Sequence, residues 1–151
     1  MKLAEALIER ADLKTKLESL RSRLIANAKI QEGTKPNEDP NELIKELNEN
    51  LDRLEYLISH INKTNCLTIL DNGKSISDMI AERDVLSKKV SIIGSLTGTA
   101  GDVAYRLTRS EIVILPSFDV QKIQTQLNKL SKELREIDTK IQETNWLTEL
   151  M

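Results

Sequence analysis

Few residue types in this chain are able to carry covalent or metal chemistry. His60 is the single histidine and Cys66 the single cysteine. A Cys–His nucleophile needs a third group to orient the imidazole, and no such group stands at a matching spacing. A Gly-x-Ser-x-Gly elbow is absent. A di-iron bundle centre needs Glu-x-x-His on facing helices, but the residue three before His60 is Leu57. His60 therefore reads as a solvated helix residue, and Cys66 alone makes no zinc site. The glycine-rich run GSLTGTAG (94–101) lacks the Gly-Lys-Ser/Thr that closes a phosphate loop, so its glycines read as the end of a helix. Nothing in the chain calls for a cofactor or a metal, and no catalytic motif is present.

What remains is polar groups on or beside apolar helix seams: Glu9, Arg10, Glu55, Glu82, Arg83, Asp84, Arg135 and Asp138. Arg10 and Arg83 occupy the same core-facing register in two related stretches, and a desolvated guanidinium must be paired. Glu55 and Arg135 are likewise equivalent. The pattern predicts a pseudo-symmetric layer of ion pairs that sets helix register, with ligand binding as the alternative use. Asn145–Trp146 reads as a helix cap beside an aromatic plug, the alternative being a recognition edge. The candidate binding set is thus Glu9, Arg10, Glu55, Arg83, Asp84, Arg135, Asp138, Asn145 and Trp146.

The elements that position these groups follow from periodicity. From Val120 the apolar residues run Val120, Ile123, Leu127, Leu130, Leu134, Ile137 and Ile141, alternating three and four apart. That is one narrow stripe on a helix, the seam of a coiled coil or bundle. Eighty positions earlier, INKTNCLTIL (61–70) matches IQETNWLTEL (141–150), and Leu43, Leu47, Leu54 and Leu57 align with Ile123, Leu127, Leu134 and Ile137. KLAEALIERADL (2–13) matches SISDMIAERDVL (75–86) at an offset of seventy-three. Seam periodicity explains the paired leucines but not the repeated Thr-Asn-x-Leu-Thr, so the chain reads as a duplicated helical hairpin. Repeat one covers about 1–72 and repeat two about 73–151.

In chain order, helix one spans 3–31 and ends near Gly33. Asp39-Pro40 opens helix two, which runs to about 63, with Asn65 as a left-handed cap. Residues 66–70 suit a short strand before the turn Asp71-Asn72-Gly73. Ser75 or Ser77 caps helix three, which stops near Leu96 at its glycines. SEIVIL (110–115) is a second strand candidate, and Asp119 caps helix four. The expected fold is mainly α: four long helices as two related hairpins in an antiparallel bundle, with room for a small two-stranded β ribbon.

Composition narrows the class. The chain of 151 residues is 3% aromatic and 30% charged with a net charge of −2, the profile of one aliphatic-packed helical domain. Signs are interspersed without a basic stripe, which argues against nucleic acid. The lone cysteine fits a reducing compartment, the N-terminus lacks the apolar core of a signal peptide, and the longest uncharged run (90–101) is too short and polar to span a bilayer. These point to a cytoplasmic protein and argue against a membrane partner without closing that alternative.

LAEALIERA (3–11), QEGTKPNEDP (31–40), INKTN (61–65), AERDVL (81–86) and R-x-x-D-x-x-I-Q-x-x-N-W-x-x-E-L (135–150) together resemble the septicolysin family of small bacterial helical proteins, over nearly the whole chain. The family's name implies a cytolysin, with residues 90–115 as the segment that would rearrange on a membrane. The residues themselves favour a different function: a bacterial cytosolic interaction or scaffold protein that forms homo-oligomers through leftover apolar helix surface. A small-molecule binder using the Arg/Glu/Asp layer is the further alternative.

Overall fold

Four helices carry the chain in a computed structural model that describes residues 1–103 and 114–151. They are α1 (Leu3–Ala26), α2 (Pro40–Leu67), α3 (Ile76–Val103) and α4 (Val120–Leu147). The fold is mainly α, as the seam periodicity requires. It divides into two compact units, Met1–Ile69 with Thr144–Met151, and Leu70–Glu143.

In the first unit α1 and α2 form an antiparallel hairpin: Glu9 pairs with Arg53, Lys16 with Glu46 and Arg23 with Glu38, so numbers rise on one helix as they fall on the other. Leu3, Ala6, Leu13 and Leu20 of α1 and Leu43, Leu57 and Ile61 of α2 are buried, and the two helices are in contact. In the second unit Arg83 of α3 lies near Asp138 of α4, and Gly94 lies near Leu127, which gives the same antiparallel sense. Among the described residues Ile76, Met79, Leu130 and Ile141 are its buried apolar side chains.

The repeat extends to hydrogen bonds. Asp39 caps α2 by accepting from the Asn41 amide at 2.9 Å, and Asp119, eighty positions on, caps α4 by accepting from the Lys122 amide at 3.0 Å. At the other helix starts the Lys2 amide donates to Glu5 at 2.7 Å and the Ser75 amide to Asp78 at 2.8 Å. The Thr68 amide donates to the Thr64 carbonyl and the Thr148 amide to that of Thr144, which ends α2 and α4 alike. The Leu150 amide meets the Met1 carbonyl at 2.9 Å, and its repeat counterpart, the Leu70 amide, meets the Lys74 carbonyl at 2.8 Å. Gly73, at φ 77°, allows that second turn.

Several expected boundaries shift. Helix one ends at Ala26 rather than 31 because buried Asn27 folds the chain back. Its side-chain amide donates to the Arg23 carbonyl at 2.9 Å, and its side-chain oxygen accepts from the Glu38 amide at 3.1 Å. Helix two continues through Asn65 to Leu67, and among the described residues only glycines have positive φ. Helix three does not stop at Leu96 but passes Gly94 and Gly98 to reach Val103. Of the expected strand 66–70, Cys66 and Leu67 close α2, Thr68 is its C-cap, and only Ile69 has bridge character, while most of the 110–115 candidate lies outside the described residues. Among the described residues the one β feature with an assigned partner is an isolated bridge, Lys2 with Glu149, at the chain termini.

Candidate functional site

The duplication makes the two hairpins directly comparable, and they differ at one place facing solvent between the paired helices. In the first hairpin the place is filled. Arg53 of α2 holds Glu9 of α1 through two hydrogen bonds of 2.7 and 2.8 Å. Its guanidinium lies 5.1 Å from the centre of the Tyr56 ring. Tyr56 in turn stacks on His60, ring centres 3.7 Å apart. Hydrogen bonding from Arg53 is the main reason the Glu9 carboxyl stays below the ordinary carboxylate range, with partial burial opposing it. His60, partly exposed on α2, is thus a surface residue that stacks on Tyr56.

In the second hairpin the same place is an open groove of about 790 Å³ between α3 and α4. Glu133, Glu136 and Lys140 stand where Arg53, Tyr56 and His60 stand in the first repeat. A carboxylate at position 133 cannot pair with Glu82, the counterpart of Glu9. Glu82 instead turns to Lys74. The floor is apolar, from Met79, Leu86 and Ile137, and the rim carries Val85 with Glu82, Glu133, Glu136, Lys89 and Lys140. An apolar floor with amines and carboxylates on its rim suits an amphipathic occupant. Among the described residues no group of three or more metal-ligating side chains converges.

The sequence candidates fall as follows. Arg83 is bound to its neighbour Asp84 at 2.7 Å and lies 3.9 Å from Asp138, so three candidates do meet. Arg10, its repeat counterpart, is half-buried but makes no hydrogen bond or ion pair among the described residues. The residue in α2 equivalent to Asp138 is Ile58, which cannot pair with it. Glu9 finds Arg53, which was not among the candidates. Glu55 and Arg135 are exposed. The expected symmetric ion-pair layer is therefore replaced by a different pairing in each hairpin. Asn145 lies inside α4 instead of capping it, and Trp146, 55% exposed, plugs nothing.

Sequence reasoning missed Arg53, Tyr56, Glu133, Glu136 and Lys140. The signal was present in the offset of eighty: the seam residues match, whereas these positions change chemical type.

The family model of a "family of unknown function (DUF6847)" matches residues 10–150. A crystal structure of a functionally unknown conserved protein from Corynebacterium diphtheriae is similar at 36% identity, with a TM-score of 0.93, over 100% of this chain and 99% of that one. No curated protein matches. These findings overturn the resemblance to septicolysin, since neither family nor neighbour carries that description. Among the described residues no helix is long and apolar enough to cross a membrane.

Proposed function

This chain belongs to the DUF6847 family of unknown function, and we propose that it works as a self-associating helical interaction protein. One observation carries the reading. Ile44, Leu51 and Ile58 recur every seven residues along the outer side of α2, and Val85, Ile92 and Leu96 run along α3. All six are between 40% and 71% exposed. Their repeat counterparts are polar: Gln124, Ser131 and Asp138 in α4, and Asp12, Ser19 and Arg23 in α1. Scattered exposed apolar residues are ordinary, but a line of them at helical spacing is the mark of a surface that another helix covers. Duplicated helices that share a seam yet differ along the outer line support a use for that line beyond folding.

Within this reading the protein acts in a reducing, cytoplasmic compartment, which the single cysteine Cys66 supports. The test is solution mass by light scattering over a range of concentrations, with and without anionic liposomes. The expected result is a discrete soluble oligomer whose mass ignores the liposomes. A single-chain mass throughout, or transfer to the liposome fraction, would overturn the reading.

A second reading has its own observation, the groove bearing Glu82, Glu133, Glu136, Lys89 and Lys140. If that groove binds a small charged metabolite, a panel of nucleotides and phosphorylated metabolites contains one that raises the melting temperature. Glu133→Arg then abolishes the rise.

A further inference from the structure

We infer that the outer line of α2 in one copy of the chain docks, antiparallel, on the outer line of α3 in a second copy. The inference rests on the self-association reading and names its surface. Each line has a shallow apolar hollow at its centre. The α2 hollow lies among Leu51, Leu54, Glu55 and Ile58, and the α3 hollow among Val85, Lys88, Lys89 and Ile92.

Charge decides which line meets which. Beside Leu51 and Ile58 the α2 line carries the exposed carboxylates Asp52 and Glu55, with Lys45 farther along beside Ile44; the α3 line carries the exposed amines Lys88 and Lys89, and Glu82 beside it is paired with Lys74. Asp84, the carboxylate nearest Val85, is held by Arg83 at 2.7 Å. Packing α2 on α2 or α3 on α3 would face like charges across a partly dry seam. Packing α2 on α3 faces opposite ones, which favours the mixed pair. The spacing then sets direction. With Leu51 opposite Ile92 and the helices antiparallel, Ile58 falls opposite Val85, Glu55 opposite Lys88, and Ile44 opposite Thr99 at the end of the line. Run parallel from the same contact, Glu55 meets Leu96 instead.

The experiment uses the full chain with Cys66→Ser as background and two variants, Leu51→Cys and Ile92→Cys, both at exposed positions. Under mild oxidation the mixture is expected to form a disulfide-linked dimer several-fold more abundantly than either variant alone. Reducing agent must release it. Dimers formed as well by Leu51→Cys alone or Ile92→Cys alone would overturn the inference. Light scattering on the unmodified chain separates the two levels. An oligomer without the 51–92 cross-link sinks the inferred surface and leaves self-association standing, while a monomer at every concentration sinks both. As a second arm, Glu55→Lys raises the concentration at half-association several-fold, and adding Lys88→Glu to the same chain returns it toward the original. Failure of that rescue counts against the α2–α3 pairing.

Discussion

The first hairpin is a closed version of the second. At equivalent positions Leu13, Leu20, Leu43 and Leu57 are buried, whereas Leu86, Ile93, Ile123 and Ile137 are half-buried. Where Arg53, Tyr56 and His60 lie over the α1–α2 surface, Glu133, Glu136 and Lys140 leave the α3–α4 groove open. Where Arg23 ties Glu38 and Glu46 beside the α1–α2 connection, the counterparts are Leu96, Phe118 and Gln126, which form no ion pair. One helix design has thus been completed twice, once with polar locks and stacked rings and once with accessible surface. The polar locks belong to the first hairpin and the open groove to the second.

The sharpest test of that contrast is to truncate matched core positions. Leu57 is fully buried, so Leu57→Ala removes well-packed contacts and leaves a cavity, at a cost of roughly 2–5 kcal/mol. Its counterpart Ile137 forms part of the groove floor and already meets solvent. Ile137→Ala is expected to cost only about 1–2 kcal/mol, because less apolar area leaves a dry environment. Urea unfolding of the two variants measures both. Equal losses would show that the hairpins are equally packed.

Exchanging the polar lock is the next largest effect. Glu133→Arg places a guanidinium where it can reach Glu82 as Arg53 reaches Glu9. A partly exposed ion pair of this kind is worth about 0.2–1 kcal/mol. The reverse change, Arg53→Glu, costs more than the forward change gains, since it removes a pair and sets two carboxylates together. A double-mutant cycle on Glu9 and Arg53 isolates the coupling, and a coupling of zero would mean that the bidentate geometry contributes nothing to stability.

Acid should act on the same contrast. Glu9 is held below its ordinary range by Arg53, Glu38 by Arg23, and Glu149 by Lys2 and the N-terminal amine. All three lie in the first unit, and Asp78, lowered by hydrogen bonds from Ser75, lies in the second. A carboxyl with a lowered folded pKa contributes stability above its unfolded pKa, near 4, and loses it as pH falls through the folded value. Amide exchange between pH 5 and 3 is therefore expected to accelerate more in α1, α2 and the paired termini than in α3 and α4. Uniform acceleration would remove the assignment of these locks to the first unit.

How much of this was legible beforehand depends on whether a feature is local. The seams, the Asp39, Ser75 and Asp119 caps and the duplication were readable, because each is a property of residues close in the chain or of a direct self-match. The repeated Thr-Asn-x-Leu-Thr motif falls at matching places, the ends of α2 and α4, where the Thr68 and Thr148 amides donate to the Thr64 and Thr144 carbonyls. The groove was not read, because it exists only once Arg53 is known to face Glu9 across two helices and Glu133 to sit in its place. The ion-pair layer failed for the same reason: symmetry placed Arg10 and Arg83 alike, but their partners diverged to Ile58 and Asp138.

The end of α3 is where sequence and structure differ most, and it supplies the smallest measurable effect. Glycine costs a helix about 0.5–1 kcal/mol relative to alanine, which is why Gly94 and Gly98 read as a stop. In the first repeat the helix does stop there, because Asn27 bonds the chain back on itself. The residue at that place in the second repeat is Ala100, which has no side chain to do so. Hydroxyls of Ser95, Thr97 and Thr99 return instead to carbonyls of Ser91, Gly94 and Ser95 within α3. A methyl group at Gly98 would meet nothing within 4 Å. Gly98→Ala is therefore expected to stabilise the protein by up to about 0.5–1 kcal/mol, read as a rise in urea midpoint with unchanged slope. A loss of stability would mean that the chain at Gly98 is not helical in solution. The second hairpin would then end where the first one does.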